Sequence, residues 1–205
     1  MIGVIDCGMG NLRSVLNAIE YLGFEGILLK EPALLAECDR VILPGVGAYA
    51  KAMGNLQARG FVPAIQSYAA ANKPILGICL GMQLLSTTGH EPYRCDGLNI
   101  IPGEVVPMAV KTTTALPHVG WNSVRLLREH PLFAGVRRDI DFYFVHSYCF
   151  QASSVQDTLG VTEYDISFTA VVARGNVLGL QFHPEKSQVA GLRILENFCQ
   201  WDGTC

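Results

Sequence analysis

Cys79 stands in the stretch "GICLGMQ", with Gly77 two residues before it and Gly81 two residues after. Gly-x-Cys-x-Gly is the thiol counterpart of the Gly-x-Ser-x-Gly nucleophile elbow, a sharp strand-to-helix turn that lifts a reactive side chain out of a sheet. Side chains at Gly77 and Gly81 would obstruct such a turn or its packing. A thiol there meets the free amides at a helix start, which favour the thiolate, and the Leu80 amide is placed to bind a developing oxyanion. A buried thiol in an ordinary β-α turn reads the same way from these residues alone.

A thiolate that attacks an amide needs a base that later protonates the departing nitrogen. Of His90, His118, His130, His146 and His183, the last has the best setting, in "VLGLQFHPEKS". That segment reads as a strand ended by Pro184, with His183 at its end. A bend at the proline can fold the Glu185 carboxylate back onto the imidazole and fix its tautomer. A surface turn is the plain alternative. A third element, "LPGVGAY", follows the apolar run "DRVIL". Backbone amides of Gly45, Val46 and Gly47 can donate to an anion or to the oxygen of a tetrahedral intermediate, unless the segment is simply a β-α loop. It lacks a Walker lysine and a full G-x-G-x-x-G, so a phosphate loop is disfavoured.

These residues must be held by a scaffold whose strand ends converge. The first half alternates apolar runs with helical patterns: "IGVID", "NLRSVLNAIEYLG", "GILL", "DRVILPG", a helical region from Ala48 to about Ala71, "PILGI" and "LGMQLLS". Leu12, Val15, Leu16, Ile19 and Leu22 share one helix face, and Gly23 is a natural stop. Continuously apolar strands between helices predict an α/β sandwich of three layers around a mostly parallel sheet, with ligands at the carboxyl ends of the strands. After about Gly89 the texture turns to alternation punctuated by proline and glycine, which predicts a mixed or antiparallel extension on the same core. In "DFYFVHSYCFQ", Phe142, Phe144, His146, Tyr148 and Phe150 alternate as one strand face. The run "SQVAGLRILENFCQW" predicts a closing helix with Val189, Leu192, Leu195 and Phe198 on its buried stripe. No repeat or linker interrupts the chain, so one domain over 1–205 is expected.

Composition narrows the function classes. The 205 residues are 50% hydrophobic and 16% charged, with a formal net charge of -3. No global positive field attracts nucleic acid or an anionic membrane, and no apolar run approaches a membrane span. The N-terminus lacks a basic leader, so a cytoplasmic protein is expected. Seven cysteines form no C-x-x-C pair and have no histidine at metal-ligand spacing, which argues against both a disulfide framework and a zinc site.

Taken together, "GICLGMQLL" and "QFHPEKS" resemble the class I, triad-type glutamine amidotransferases, whose fold is flavodoxin-like. "LPGVGA", "PHVGWN", "YFVHSY" and "FHPEKS" are similar to the glutaminase subunits of imidazole glycerol phosphate synthases, and the resemblance covers nearly the whole chain. It implies Cys79 as nucleophile, His183 as base and acid, and Glu185 as the orienting carboxylate. It implies an oxyanion site from Gly45, Val46, Gly47 and Leu80. Gln83 and Glu91, with the backbone of Ser147 and Tyr148, would hold L-glutamine, although "LLSTTGHEP" departs from the family pattern around Glu91. Asn11, Trp121, Tyr143 and Lys186 match positions facing the partner or the ammonia passage. The implied partner is a cyclase subunit with a (β/α)₈ barrel, in a heterodimer of the histidine pathway, and no cofactor or metal is implied. Another class I amidotransferase, a cysteine-elbow hydrolase of a different family and a flavodoxin-like binding module are the rival readings.

Overall fold

The computed structural model describes residues 1–8, 10–138 and 140–204. In the first half, β1 (Ile2–Ile5), β2 (Gly26–Leu29), β3 (Arg40–Gly45) and β4 (Ile75–Cys79) alternate with α1 (Leu12–Tyr21), α2 (Tyr49–Ala58), α3 (Phe61–Ala70) and the short α4 (Leu80–Leu84). The second half is largely strand: β5 (Thr88–Gly89), β6 (Cys95–Asp96), β7 (Gly103–Pro107), β8 (His118–Ser123), β9 (Arg125–Leu126), β10 (Asp141–His146), β11 (Tyr148–Ala152), β12 (Thr158–Tyr164), β13 (Ile166–Arg174) and β14 (Val177–Leu180). Helix α5 (Gln188–Gln200) follows.

The central block β2-β1-β3-β4-β14 is parallel throughout. Its strands need apolar side chains on both faces, and successive residues divide between two cores as a pleated strand requires. Val4, Ile42, Leu76 and Ile78 pack with Val15 and Ile19 of α1 and with Ile194 and Phe198 of α5. Their neighbours Ile5, Val41, Leu43 and Ile75 pack with Leu56 of α2 and with Phe61 and Ile65 of α3. The result is the three-layer α/β sandwich expected from the sequence. Beyond β14 the sheet continues as β13-β11-β7-β5-β6, antiparallel except where β5 meets β7, while β8 and β10 form a separate antiparallel ribbon. Among the described residues no helix is long and apolar enough to cross a membrane.

Four local readings are corrected. The helical region from Ala48 to Ala71 is two helices, broken where Gly60 takes φ 74. The alternating run Phe142 to Phe150 is two strands: β10 joins the ribbon, Ser147 breaks the run, and β11 enters the main sheet. Strand β14 ends at Leu180, so His183 lies just beyond it, still held in line by Gln181 N–H to Ala170 O and His183 N–H to Tyr143 O. Val189 is 80% exposed, because the buried stripe of α5 is rotated to Ala190, Gly191, Ile194, Leu195 and Phe198.

Candidate active site

Cys79 ends β4 and immediately precedes α4, with φ 54 and ψ -109. A non-glycine residue at positive φ stores strain and persists only where its surroundings hold it. Here backbone packing does so. A Cβ on Gly81 would stand 1.6 Å from the Leu43 carbonyl oxygen, and one on Gly77 would stand 2.7 Å from the Gly81 backbone. The two glycines thus let α4 lie directly on β3 and β4. Strand pairing sets Gly45 beside Cys79, so the Gly45–Gly47 loop opens next to the thiol. Gly47 takes φ 107, and Val46 is 36% exposed at the loop tip. With five residues, α4 has only a small dipole, and its Leu80 amide matters more than its field.

The His183 imidazole and Glu185 carboxylate are almost wholly covered, at 1% and 0% side-chain exposure, and Nδ1 stands 2.8 Å from Oε1. Pro184 opens a short 3₁₀ turn that returns the carboxylate to the ring, as the sequence predicts. With Nδ1–H given to Glu185, Nε2 is the nitrogen left for the sulfur. Burial disfavours the charged imidazole, yet hydrogen bonds with Cys79 and Glu185 outweigh it and lift His183 to about 9. Glu185 Oε1 also accepts from Asn11 Nδ2 at 2.5 Å, while its Oε2 has no partner among the described residues. The sulfur faces the Val145 carbonyl at 3.7 Å. A thiol, a base and a buried carboxylate in series, beside glycine amides, can perform acyl transfer.

Around this centre, Gln83 Nε2 donates to the Tyr148 carbonyl at 3.1 Å, which places Gln83 against the Ser147–Tyr148 backbone named with it. The Ser147 carbonyl accepts from Met108 N–H at 2.9 Å. Glu91 lies at the start of α2, where its Oε2 accepts from Tyr49 N–H at 3.1 Å and its carbonyl accepts from Ala50 N–H. Burial raises its carboxyl above the usual range, against that backbone bond. Within the segment that departs from the family pattern, a Cβ on Gly89 would stand 2.6 Å from the Tyr49 ring.

A family model for "Glutamine amidotransferase class-I" matches residues 3–201. The chain belongs to the class-I glutamine amidotransferases. Among class-I relatives, the imidazole glycerol phosphate synthase subunit HisH of Moorella thermoacetica is 47% identical over 96% of this chain and 93% of its own length. The HisH subunit of Sulfurimonas denitrificans is 45% identical over 98% of each chain. Solved structures superpose as well. A crystal structure of a glutamine amidotransferase has a TM-score of 0.75 at 18% identity, covering 99% of both chains. PurLQS from Thermotoga maritima has a TM-score of 0.74 at 20% identity, over 97% of this chain and 95% of that one. At those identities the likeness is one of fold.

For this class-I chain the structure divides the four residues read as facing the partner or the ammonia passage into two groups. Trp121, Tyr143 and Lys186 cluster on the outer side of the β8–β10 ribbon: the two rings meet edge to face at 5.8 Å, and the ammonium sits 5.8 Å above the Tyr143 ring. Asn11 instead turns its amide inward onto Glu185. Sequence reasoning missed Gln181, wholly buried 3.7 Å from the sulfur, and Ser187, whose hydroxyl donates to His183 O at 2.6 Å and accepts from Tyr143 N–H. A glutamine after the apolar run "VLGL" was the available signal for the first. His118 and His146 were also passed over. They meet at 3.1 Å, and His146 Nδ1 donates to Tyr148 O at 2.9 Å; burial pushes both down to about 4 and keeps them neutral. The Cys7 thiol donates to Pro44 O at 3.3 Å, under the start of the glycine loop.

Proposed function

We propose that the chain is the glutaminase subunit of an imidazole glycerol phosphate synthase, a single amidotransferase domain that hydrolyses L-glutamine and delivers ammonia to a cyclase subunit. The observation that carries the chemistry is the series Cys79, His183, Glu185 at a strained elbow. The Cys79 thiolate attacks the side-chain amide carbon of glutamine. The oxyanion takes hydrogen bonds from the Leu80 amide and the Gly45–Gly47 loop. The His183 imidazolium protonates the departing nitrogen and ammonia leaves. The neutral imidazole then activates water, which releases glutamate from the thioester, and Glu185 holds the ring throughout.

The partner assignment rests on the HisH relatives, similar over nearly the whole chain. Ammonia is useful to a synthase only if it stays out of bulk water, which calls for a closed path into a docked partner. We read that partner as a (β/α)₈ cyclase in a cytoplasmic heterodimer, docked on the Trp121–Tyr143–Lys186 face. In it the nitrogen enters a phosphoribulosyl aminoimidazole-carboxamide compound, giving imidazole glycerol phosphate and aminoimidazole-carboxamide ribotide. Val46 and its glycine neighbours form a loop able to reorient an amide when the partner is loaded, which would keep the free subunit slow. The test is glutamate release by the chain and its Cys79→Ala variant, each with and without the cyclase and its nucleotide ligand. The reading requires activity that depends on Cys79 and rises with the loaded partner. Activity independent of Cys79, or indifferent to the cyclase, overturns it.

A further inference from the structure

Gln181 is a polar side chain with no exposure, set between Gln83 and Cys79 at the end of an apolar strand. Burying an amide is unfavourable unless its bonds are made, and an apolar side chain of similar size would fill the space without that demand. The surrounding network fixes how the amide is turned. The Tyr148 carbonyl can only accept, so the Gln83 atom 3.1 Å from it is the donor Nε2. The second hydrogen of that nitrogen points to Gln181 at 3.1 Å, so the facing atom of Gln181 is its acceptor Oε1. The remaining end of Gln181, its Nε2 donor, is therefore aimed at the Cys79 sulfur at 3.7 Å.

We propose that Gln181 donates a hydrogen bond to the Cys79 thiolate, and that Gln83 orients it to do so. The inference rests on the reading of Cys79 as nucleophile and adds a residue to it. The sulfur stands 3.7 Å from both the Val145 carbonyl and the Gln181 amide, so as a thiol it donates to the first and accepts weakly from the second. A thiolate is much the stronger acceptor, so a donor held against the sulfur favours the ionised form. Gln83 thus has two tasks, since it contacts the Ser147–Tyr148 backbone and sets the direction of the Gln181 amide.

The experiment is iodoacetamide alkylation of Cys79 in the full chain, followed by peptide mass mapping from about pH 6 to about pH 10. Gln181→Met, which keeps the volume and removes the donor, should slow alkylation at least about fivefold near pH 7, with rates converging at the alkaline end where the sulfur is ionised in both proteins. Gln83→Leu, which never touches the sulfur, should slow it by a smaller factor because Gln181 is then free to turn. A folded Gln181→Met variant whose profile superimposes on the parent's overturns the proposal, as does a folded Gln83→Leu variant with unchanged alkylation. Cys79 labelling no faster than that of half-buried Cys95 in the unaltered chain would instead refute the nucleophile reading itself.

Discussion

Replacing Glu185 by Gln separates the charge of the buried carboxylate from its shape. One oxygen carries the whole arrangement: Oε1 accepts from His183 at 2.8 Å and from Asn11 at 2.5 Å, while Oε2 is buried without a partner among the described residues. An amide can keep both bonds only by putting its NH₂ where Oε2 was, and an orphan buried donor destabilises by about 1–3 kcal/mol. The lift of His183 to about 9 from an ordinary 6.5 corresponds to roughly 3 kcal/mol in favour of the imidazolium, divided between Cys79 and Glu185. Because the folded value is raised, this contribution to stability is full below the unfolded value near 6.5 and is lost as pH climbs through about 9. The parent should therefore lose stability across that window, and Glu185→Gln should lose less. With the imidazolium no longer supported, kcat/KM for glutamine should fall by roughly 10²–10⁴-fold. Glutamate release and urea midpoints at the two ends of the window measure both effects. A variant within about threefold of the parent in kcat/KM, with the same slope of stability against pH, would refute the reasoning.

Two further outcomes follow from packing. Gly81→Ala places a methyl 1.6 Å from the Leu43 carbonyl, so the elbow and β3 must part by about 2 Å. Glutaminase activity should drop by at least about 100-fold, and near-parental activity would show that the elbow does not need this approach. Trp121→Ala removes a 46% exposed ring that packs on Tyr143. In titrations with the cyclase it should weaken the complex by roughly 10- to 100-fold, whereas unchanged affinity would move the docking face elsewhere.

The parts of the site that were legible in the sequence are those whose chemistry demands a particular residue at a particular spacing. Gly77 and Gly81 mark the elbow because no other side chain fits against Leu43 and α4, and Pro184 marks the turn that returns Glu185. The inner strands of the parallel block were equally legible, since both faces of β1, β4 and β14, and of β3 after Arg40, are buried and the runs are apolar. What escaped was set by long-range contacts. The alternation from Phe142 to Phe150 passes unbroken through Ser147, so periodicity alone hides that the chain changes sheets there. Asn11 matches a position facing the partner or the ammonia passage, and the contact of its amide with a carboxylate 174 residues away is one that no local pattern reveals. Gln181 lay within two residues of His183, and only its burial against Cys79 gives it a role.

The central claim is that Cys79 forms a covalent intermediate with glutamine. Acid quenching of the chain during turnover with glutamine, with the loaded cyclase present, followed by peptide mass analysis, tests it most directly. The account predicts one glutamyl group, bound as a thioester, on the peptide carrying Cys79. Turnover of glutamine with that peptide unmodified, or with the glutamyl group on another cysteine, would contradict it.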